Sequence, residues 1–171
     1  MNKVFKTSIL LMAIITMLTT NVFASVGTDG NSSTEEYSEL LPHEIKSDTA
    51  TERSVKRGDF FSRADVVISN QGNGDIGALA VAYMNYNVDE IYITVYLDRW
   101  DEETEKWRQV DYYDAEYYAD DYPDGLSEAT LNITFLNQER ECYYRLRGVF
   151  SAVYDNDYEG FSPTTAGIWI D

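Results

Sequence analysis

The sequence contains very little cysteine and histidine. Of its 171 residues, one is cysteine (Cys142) and one is histidine (His43). A single cysteine excludes a disulfide bond within the chain. The single histidine lies in a polar segment far in sequence from the predicted strands, so a Ser-His-Asp or Cys-His mechanism lacks its general base and a zinc site lacks its usual ligands. No glycine-rich loop of the kind that cradles phosphate is found.

Positive charge is also scarce. There are 13 Lys and Arg residues against 30 Asp and Glu, which gives a formal net charge of -17. A surface this acidic repels phosphate, so we expect neither nucleic acid nor an anionic membrane as a partner. The charge favours solubility, a cationic partner or bound divalent cations.

The one long apolar run lies at the N-terminus. Lys3 and Lys6 precede an apolar stretch at 8–18, and residues 22–24 have the small or modest side chains that a signal peptidase reads. This pattern predicts a signal peptide, residues 1–24, and hence a secreted, extracellular protein with no membrane contact after cleavage. A retained membrane helix is the alternative, but the run is shorter than the roughly 20 residues that a span needs.

Residues 25–57 are rich in Ser, Thr, Asp and Glu and have few large apolar residues and no period. Such a composition cannot bury enough surface to offset the entropy of ordering it. We therefore expect a disordered acidic and polar tether at 25–57, followed by one β-sandwich domain at 58–171. A pro-segment that is removed later is the alternative interpretation of the tether.

The stretch Val88–Trp100 has the clearest period of two. Every second residue in it is apolar: Ile91, Ile93, Val95 and Leu97. Alternation of this kind is typical of a strand with one buried face. Six further segments with turn signals between them, and almost no helical period, predict an all-β fold, a single seven-stranded antiparallel immunoglobulin-like β-sandwich. In the second strand, at about 75–83, the pattern does not decide which face is buried; the fourth, from Trp107, has a broken period that predicts a bulge.

Three patches carry a resemblance to known proteins. They are Gly72-Asn73-Gly74, Val88–Trp100, and Tyr143–Val149 taken with 167–170. The run Cys142–Val149, followed by a polar loop, Ser162-Pro163 and a closing strand, resembles the final two strands of fibronectin type III and related immunoglobulin-like domains, with Cys142 at the position of the tyrosine-corner residue. Together the patches resemble a family of small secreted proteins from Gram-positive, clostridia-like bacteria. The resemblance implies secretion and a sandwich fold, and it transfers no site because that family has no assigned activity.

The 14 tyrosines are the most general functional clue. In immunoglobulin-like sandwiches the third and sixth strands are neighbours, and five residues would then share one outward face: Tyr92, Tyr96, Tyr143, Arg145 and Arg147. Tyr and Arg are enriched in binding hot spots, and their side chains also suit carbohydrate. The alternative is that the tyrosines cover exposed sheet and the arginines pair with acids such as Asp98. Each tyrosine doublet of a strand, such as Tyr112-Tyr113, should also turn one ring outward.

A weak metal hypothesis arises from the segment 155–160. Its acidic residues at alternate positions, Asp155, Asp157 and Glu159, followed by a glycine, match the first half of a calcium loop. The twelfth position would be Ala166, where a bidentate acid belongs. A weak Ca²⁺ site is therefore one interpretation, and an ordinary turn is the other. No other cofactor is indicated.

The residues do not point to an enzyme. Cys142 falls on the apolar parity of the sixth strand, which predicts a buried, inert thiol. Acidic residues are too numerous for one catalytic pair to stand out. We expect a non-enzymatic binding module for an extracellular protein or glycan, with a carboxylate-dependent hydrolase and a structural spacer as the alternatives. The oligomeric state cannot be predicted from the sequence.

Overall fold

The structure, a computed structural model, describes residues 33–34, 37–55 and 60–171. The predicted signal peptide lies outside the described residues. The described part contains ten strands and a single 3-10 turn at Ala119–Asp121. The strands are β1 (Ser33–Thr34), β2 (Ser47–Arg53), β3 (Phe61–Gly72), β4 (Asp75–Val88), β5 (Glu90–Asp101), β6 (Lys106–Tyr118), β7 (Leu126–Phe135), β8 (Cys142–Tyr154), β9 (Asp157–Phe161) and β10 (Ile168–Ile170).

Two antiparallel sheets pack against each other. One has the order β1-β6-β5-β8-β10, with β9 also paired to β8, and the other has the order β2-β3-β4-β7. The all-β sandwich is therefore confirmed. The seven predicted strands correspond to β3–β8 and β10, and their division between the sheets is that of an immunoglobulin-like sandwich with Greek-key connections. The predicted count of seven is wrong, because β1, β2 and β9 are additional strands.

The core lies between the sheets and follows the alternation in the sequence. The apolar parity of β5 is fully buried, from Ile91 to Leu97. In β4, the side that faces the core is the row of small residues, Ala78, Ala80 and Ala82. Small side chains there leave room for the larger ones of the facing sheet, since interiors pack without sizeable voids. The predicted bulge of the fourth strand is confirmed by a register shift between β5 and β6 at Leu97 and Asp98.

Strand β2 corrects the prediction of a disordered tether. Ser47–Arg53 pairs with β3 along its whole length, from Ser47 opposite Ser69 to Arg53 opposite Arg63. Most of its side chains are exposed. The strand is held mainly by backbone hydrogen bonds to the edge of the sheet. The amino-acid composition of a segment indicates how much side-chain surface it can bury, but it does not indicate whether its backbone pairs with a strand. The tether prediction is therefore wrong for β2.

Most of the segment 155–162 belongs to the hairpin formed by β8 and β9. Tyr154 at the end of β8 lies opposite Asp157 at the start of β9, so only two residues make the turn. Asp155, the first of them, has φ 54°. Two-residue hairpin turns require such positive φ values, which Asp and Asn tolerate better than most residues.

Candidate binding face

The five residues predicted to share an outward face lie on two hydrogen-bonded strands. β5 pairs with β8, and the register sets Tyr96 opposite Arg147 and Asp98 opposite Arg145. The predicted neighbourhood of the third and sixth strands is therefore confirmed. The five side chains do not form one open surface, because Arg145 is buried and Tyr143 packs beside His43 and Trp169.

Asp98 holds both arginines of β8. Its Oδ2 accepts hydrogen bonds from Nε of Arg145 at 3.0 Å and from Nε of Arg147 at 2.6 Å, and its Oδ1 accepts one from Nη2 of Arg147 at 3.1 Å. Asp98 and Arg145 are fully buried, and the guanidinium carbon of Arg145 lies 4.6 Å from the Trp107 ring centroid. The expectation that Arg145 offers its charge to a ligand is therefore wrong.

The chain ahead of β2 covers this part of the face. Residues 38–41, here named the covering segment, exchange two backbone hydrogen bonds with Gly167. The Ser38 hydroxyl accepts a hydrogen bond from Nη1 of Arg145 at 2.9 Å and donates one to the Thr165 carbonyl at 3.0 Å. Because these residues fell in the expected tether, the sequence showed no reason for Arg145 to be buried.

Tyr143 lies apart from the other predicted residues. Its ring packs edge-on against Trp169, with centroids 5.1 Å apart. His43 stacks flat on Trp169 at 4.1 Å. The expected isolation of His43 from the folded domain is therefore wrong. Along β8, the covered Arg145 stands between Tyr143 and the open part of the face.

The open part of the outward face carries tyrosines from two strands: Tyr92 and Tyr96 of β5, and Tyr112 and Tyr118 of β6. The ring centroids are 6.2 Å apart both in the Tyr96–Tyr112 pair and in the Tyr92–Tyr118 pair. The guanidinium carbon of Arg147 lies 4.8 Å from the Tyr96 centroid. We name these four tyrosines together with Arg147 the tyrosine face.

Tyr112 and Tyr118 were not among the predicted binding residues. The doublets showed that one ring of each pair turns outward, but they did not show which one. The bulge in β6 decides this, because Gln109 lies opposite Asp98 and Asp111 lies opposite Leu97, so one additional residue shifts the parity. Only the register of β6 against β5 therefore places Tyr112 on the outward face.

Carboxylates border the tyrosine face. The Tyr92 hydroxyl donates a hydrogen bond to Glu90, and the Tyr118 hydroxyl donates one to Glu116. These hydrogen bonds are the first cause that raises the pKa of each phenol, and burial adds to the effect. Both hydroxyls therefore stay protonated, and the face consists of neutral rings beside negative charges.

Tyr144, on the buried side of β8, gives a pH prediction. Its hydroxyl donates a hydrogen bond to the Glu139 carbonyl at 2.9 Å, and burial raises its pKa from 10.0 to about 12. The unfolded chain loses this proton first, so Tyr144 should contribute its full stability below pH 10.0 and lose it as the pH rises to about 12. In urea unfolding across this window, Tyr144→Phe should show a shallower fall than the wild type. The exposed-ring control Tyr158→Phe should follow the wild type, and parallel curves for all three proteins would contradict the prediction.

Of the three residues of the metal hypothesis, Glu159 has its carboxylate engaged elsewhere and Asp155 has its backbone N–H engaged. The Asp155 N–H donates a hydrogen bond to the Asp89 carboxylate at 2.6 Å. The Glu159 carboxylate accepts one from the Phe61 N–H at 2.7 Å. In the part of the chain that the structure describes, no group of three or more His, Cys, Asp or Glu side chains is arranged to hold a metal ion. Ca²⁺ binding by Asp155, Asp157 and Glu159 stays a prediction, which thermal melts with EDTA and with millimolar Ca²⁺ would test.

Cys142 lies at the start of β8 and is partly buried, with Sγ 3.5 Å from the Arg140 carbonyl oxygen. Burial, followed by the negative charge of Glu139, raises the pKa of the thiol. A raised pKa lowers the thiolate fraction, and the thiolate is the reactive form. This environment favours a packing role for Cys142 over a nucleophilic one.

Comparison with models of known protein families and with curated proteins finds no match for this chain. Among the described residues, no helix has the length and the apolar character needed to cross a membrane. The fold and the contacts above are therefore the basis on which a function is proposed.

Proposed function

We propose that the protein is a secreted, non-enzymatic binding module that holds an extracellular protein or glycan on its tyrosine face. The observation that carries the proposal is the placement of four tyrosines from β5 and β6 on one outward surface. Tyrosine and arginine dominate the binding energy of many interfaces. The apolar faces of tyrosine rings also suit the apolar faces of sugars.

The face is held in place before any ligand arrives. Arg147 is hydrogen-bonded to the buried Asp98 and lies over the ring of Tyr96. The glutamates hydrogen-bonded to Tyr92 and Tyr118 limit the rotation of those rings in the same way. Side chains that are already ordered lose less entropy on binding, which favours affinity.

Charge narrows the choice of partner. Glu116 lies opposite Tyr92 and Asp114 lies opposite Thr94, so two carboxylates of β6 belong to the same outward side as the tyrosines. Arg147 of the face and the neighbouring Arg145 are both paired with Asp98. The face therefore suits a neutral or positively charged partner, and binding of a cationic one should weaken as salt is added.

The proposal predicts that single ring deletions remove binding. In a screen against glycans and extracellular proteins, Tyr96→Ala and Tyr112→Ala should each weaken binding of any ligand found by about tenfold or more, because each removes a central contact. The matched control is Tyr86→Ala, since Tyr86 is 42% exposed and lies on β4 of the other sheet. Circular dichroism would establish that all three variants fold, and equal affinities for all of them would refute the face.

The same screen separates the alternatives. A structural spacer predicts that neither glycan nor protein binds. A carboxylate-dependent hydrolase predicts turnover of a glycan or peptide that is lost when one acidic residue is replaced. Among the described residues, no contact singles out a catalytic carboxylate pair.

A further inference from the structure

The other sheet carries a positively charged cavity in an otherwise acidic protein. An open cavity of about 420 Å³ is lined by Arg53, Ser54, Ser62, Arg63 and Tyr83. The described residues that line it include two Arg residues and no acidic residue. Its position on β2, β3 and β4 places it on the sheet opposite the tyrosine face, so it is separate from the proposed binding surface.

The strand register forces the two positive charges together. Arg53 of β2 lies directly opposite Arg63 of β3, and Arg63 lies opposite Tyr83 of β4. Like charges at directly opposed positions of a sheet are destabilising unless another group compensates them. An anion between the two guanidinium groups would provide that compensation.

Arg63 is only partly satisfied by its own neighbours. Its guanidinium carbon lies 4.0 Å from the Tyr83 ring centroid, and this stacking fixes the orientation of the guanidinium group. Its Nε lies 3.2 Å from a carboxylate oxygen of Asp65, but that carboxylate also accepts a hydrogen bond from Thr51. Arg63 Nε is one of two buried side-chain polar atoms among the described residues that make no hydrogen bond. Because this Nε is buried beside Asp65, an anion in the cavity would be reached by the terminal nitrogens of the Arg63 guanidinium group.

A bulge adds a hydroxyl to the cavity. The register between β3 and β4 shifts between Phe61 and Arg63, so Ser62 is the additional residue. The Ser62 carbonyl accepts a hydrogen bond from the Ser54 N–H at 3.0 Å, which holds the two serines together at the cavity. Bulges commonly redirect a side chain in this way.

We propose that this cavity binds an oxyanion, namely a carboxylate, sulfate or phosphate group, between Arg53 and Arg63. Guanidinium groups match the paired oxygens of such groups, and the Ser62 hydroxyl is a suitable further donor. The net charge of -17 repels long polyanions, so the ligand is a small anion or one anionic group on a small molecule. The inference is independent of the tyrosine face.

The test is a thermal melt at constant ionic strength with millimolar inorganic phosphate, inorganic sulfate, acetate or a sulfated monosaccharide in place of chloride. The wild type should be stabilised by at least one of these probes. Arg53→Gln should require about tenfold or more of the probe for the same rise in melting temperature, because the substitution removes charged hydrogen bonds. Arg140→Gln, an exposed arginine elsewhere, and Tyr96→Ala should respond like the wild type.

The comparison with Arg53→Gln distinguishes a site from general salt effects. Sulfate and phosphate stabilise many proteins without binding, and such an effect would be equal in the wild type and in Arg53→Gln. Equal responses to every probe, or no response at all, would overturn the proposal. A response specific to inorganic ions would assign a free oxyanion, and a stronger one with the sulfated sugar would assign a sugar-borne group. Because Arg53 is an exposed residue at the end of an edge strand, its replacement should leave the fold intact even if Arg63→Gln does not fold.

Discussion

Replacing Asp98 with alanine should lower the free energy of unfolding by about 3–5 kcal/mol, as removal of one partner from a buried ion pair commonly does. Asp98 is fully buried and is the shared acceptor for Arg145 and Arg147. Without it, the guanidinium group of Arg145 is left beside a cavity, away from water. Chemical unfolding of the wild type and the variant would measure the difference.

The matched control for this prediction is Asp114→Ala. Asp114 is an exposed acid on the same side of the same sheet, and its loss should change the free energy of unfolding by no more than about 0.5 kcal/mol. Replacing the pair together, as Asp98→Leu with Arg145→Met, should cost less than the sum of the single changes, because the fully buried charge of Arg145 is removed together with that of Asp98. A loss below about 1 kcal/mol in Asp98→Ala would show that this network does not support the sheet.

Replacing Trp107 with alanine should cost about 3–5 kcal/mol, the usual range for removing a large aromatic side chain from a core. Trp107 is 2% exposed although it lies on the outward side of β6. Its ring is packed between Trp100, Arg145 and Gly167. The alanine variant would leave a cavity at the place where the covering segment meets the sheet.

Trp107→Phe should cost clearly less than Trp107→Ala. Phenylalanine keeps an aromatic ring at the site, and the Trp107 Nε1 makes no hydrogen bond that would be lost. Urea unfolding of both variants, followed by far-UV circular dichroism, gives the comparison. Equal stability of the alanine variant and the wild type would mean that the covering segment is not packed on Trp107 in solution.

Both predictions concern the same part of the molecule and bear on how the domain should be produced. The covering segment and β2 lie before residue 58, where the domain was predicted to begin. Both belong to the described structure, through Gly167, Thr165 and the edge of β3. A protein that starts at residue 58 would expose Arg145 and the edge of β3, so binding experiments should use a chain that includes residues 37–55.

The strands were the most predictable part of the structure. Alternation along Val88–Trp100 was sufficient to place β5 and its buried side, because the period of two is a local property of the chain. The buried side of β4 could not be decided from sequence, since alanine is compatible with either face. Its position opposite β3 and β7 resolves this, with Ala78, Ala80 and Ala82 in the core.

The candidate sites were less predictable than the strands. Tyr92 and Tyr96 were placed on the outward side of the sheet by parity alone. Parity gave the same side for Arg145, which is fully buried because Ser38 and its neighbours lie over it. The sequence did not indicate that Arg53 lies opposite Arg63, because Arg53 belongs to a segment that was expected to be disordered.

The sequence by itself therefore determined seven of the ten described strands, the inner faces of most of these and the acidic character of the surface, because these depend on residue type and on spacing over a few positions. Only the tertiary structure decided which outward residues stay open and which charges meet. Exposure depends on segments that arrive from distant parts of the chain, as the covering segment does over Arg145. Register depends on backbone hydrogen bonds between strands, which residue types specify only weakly.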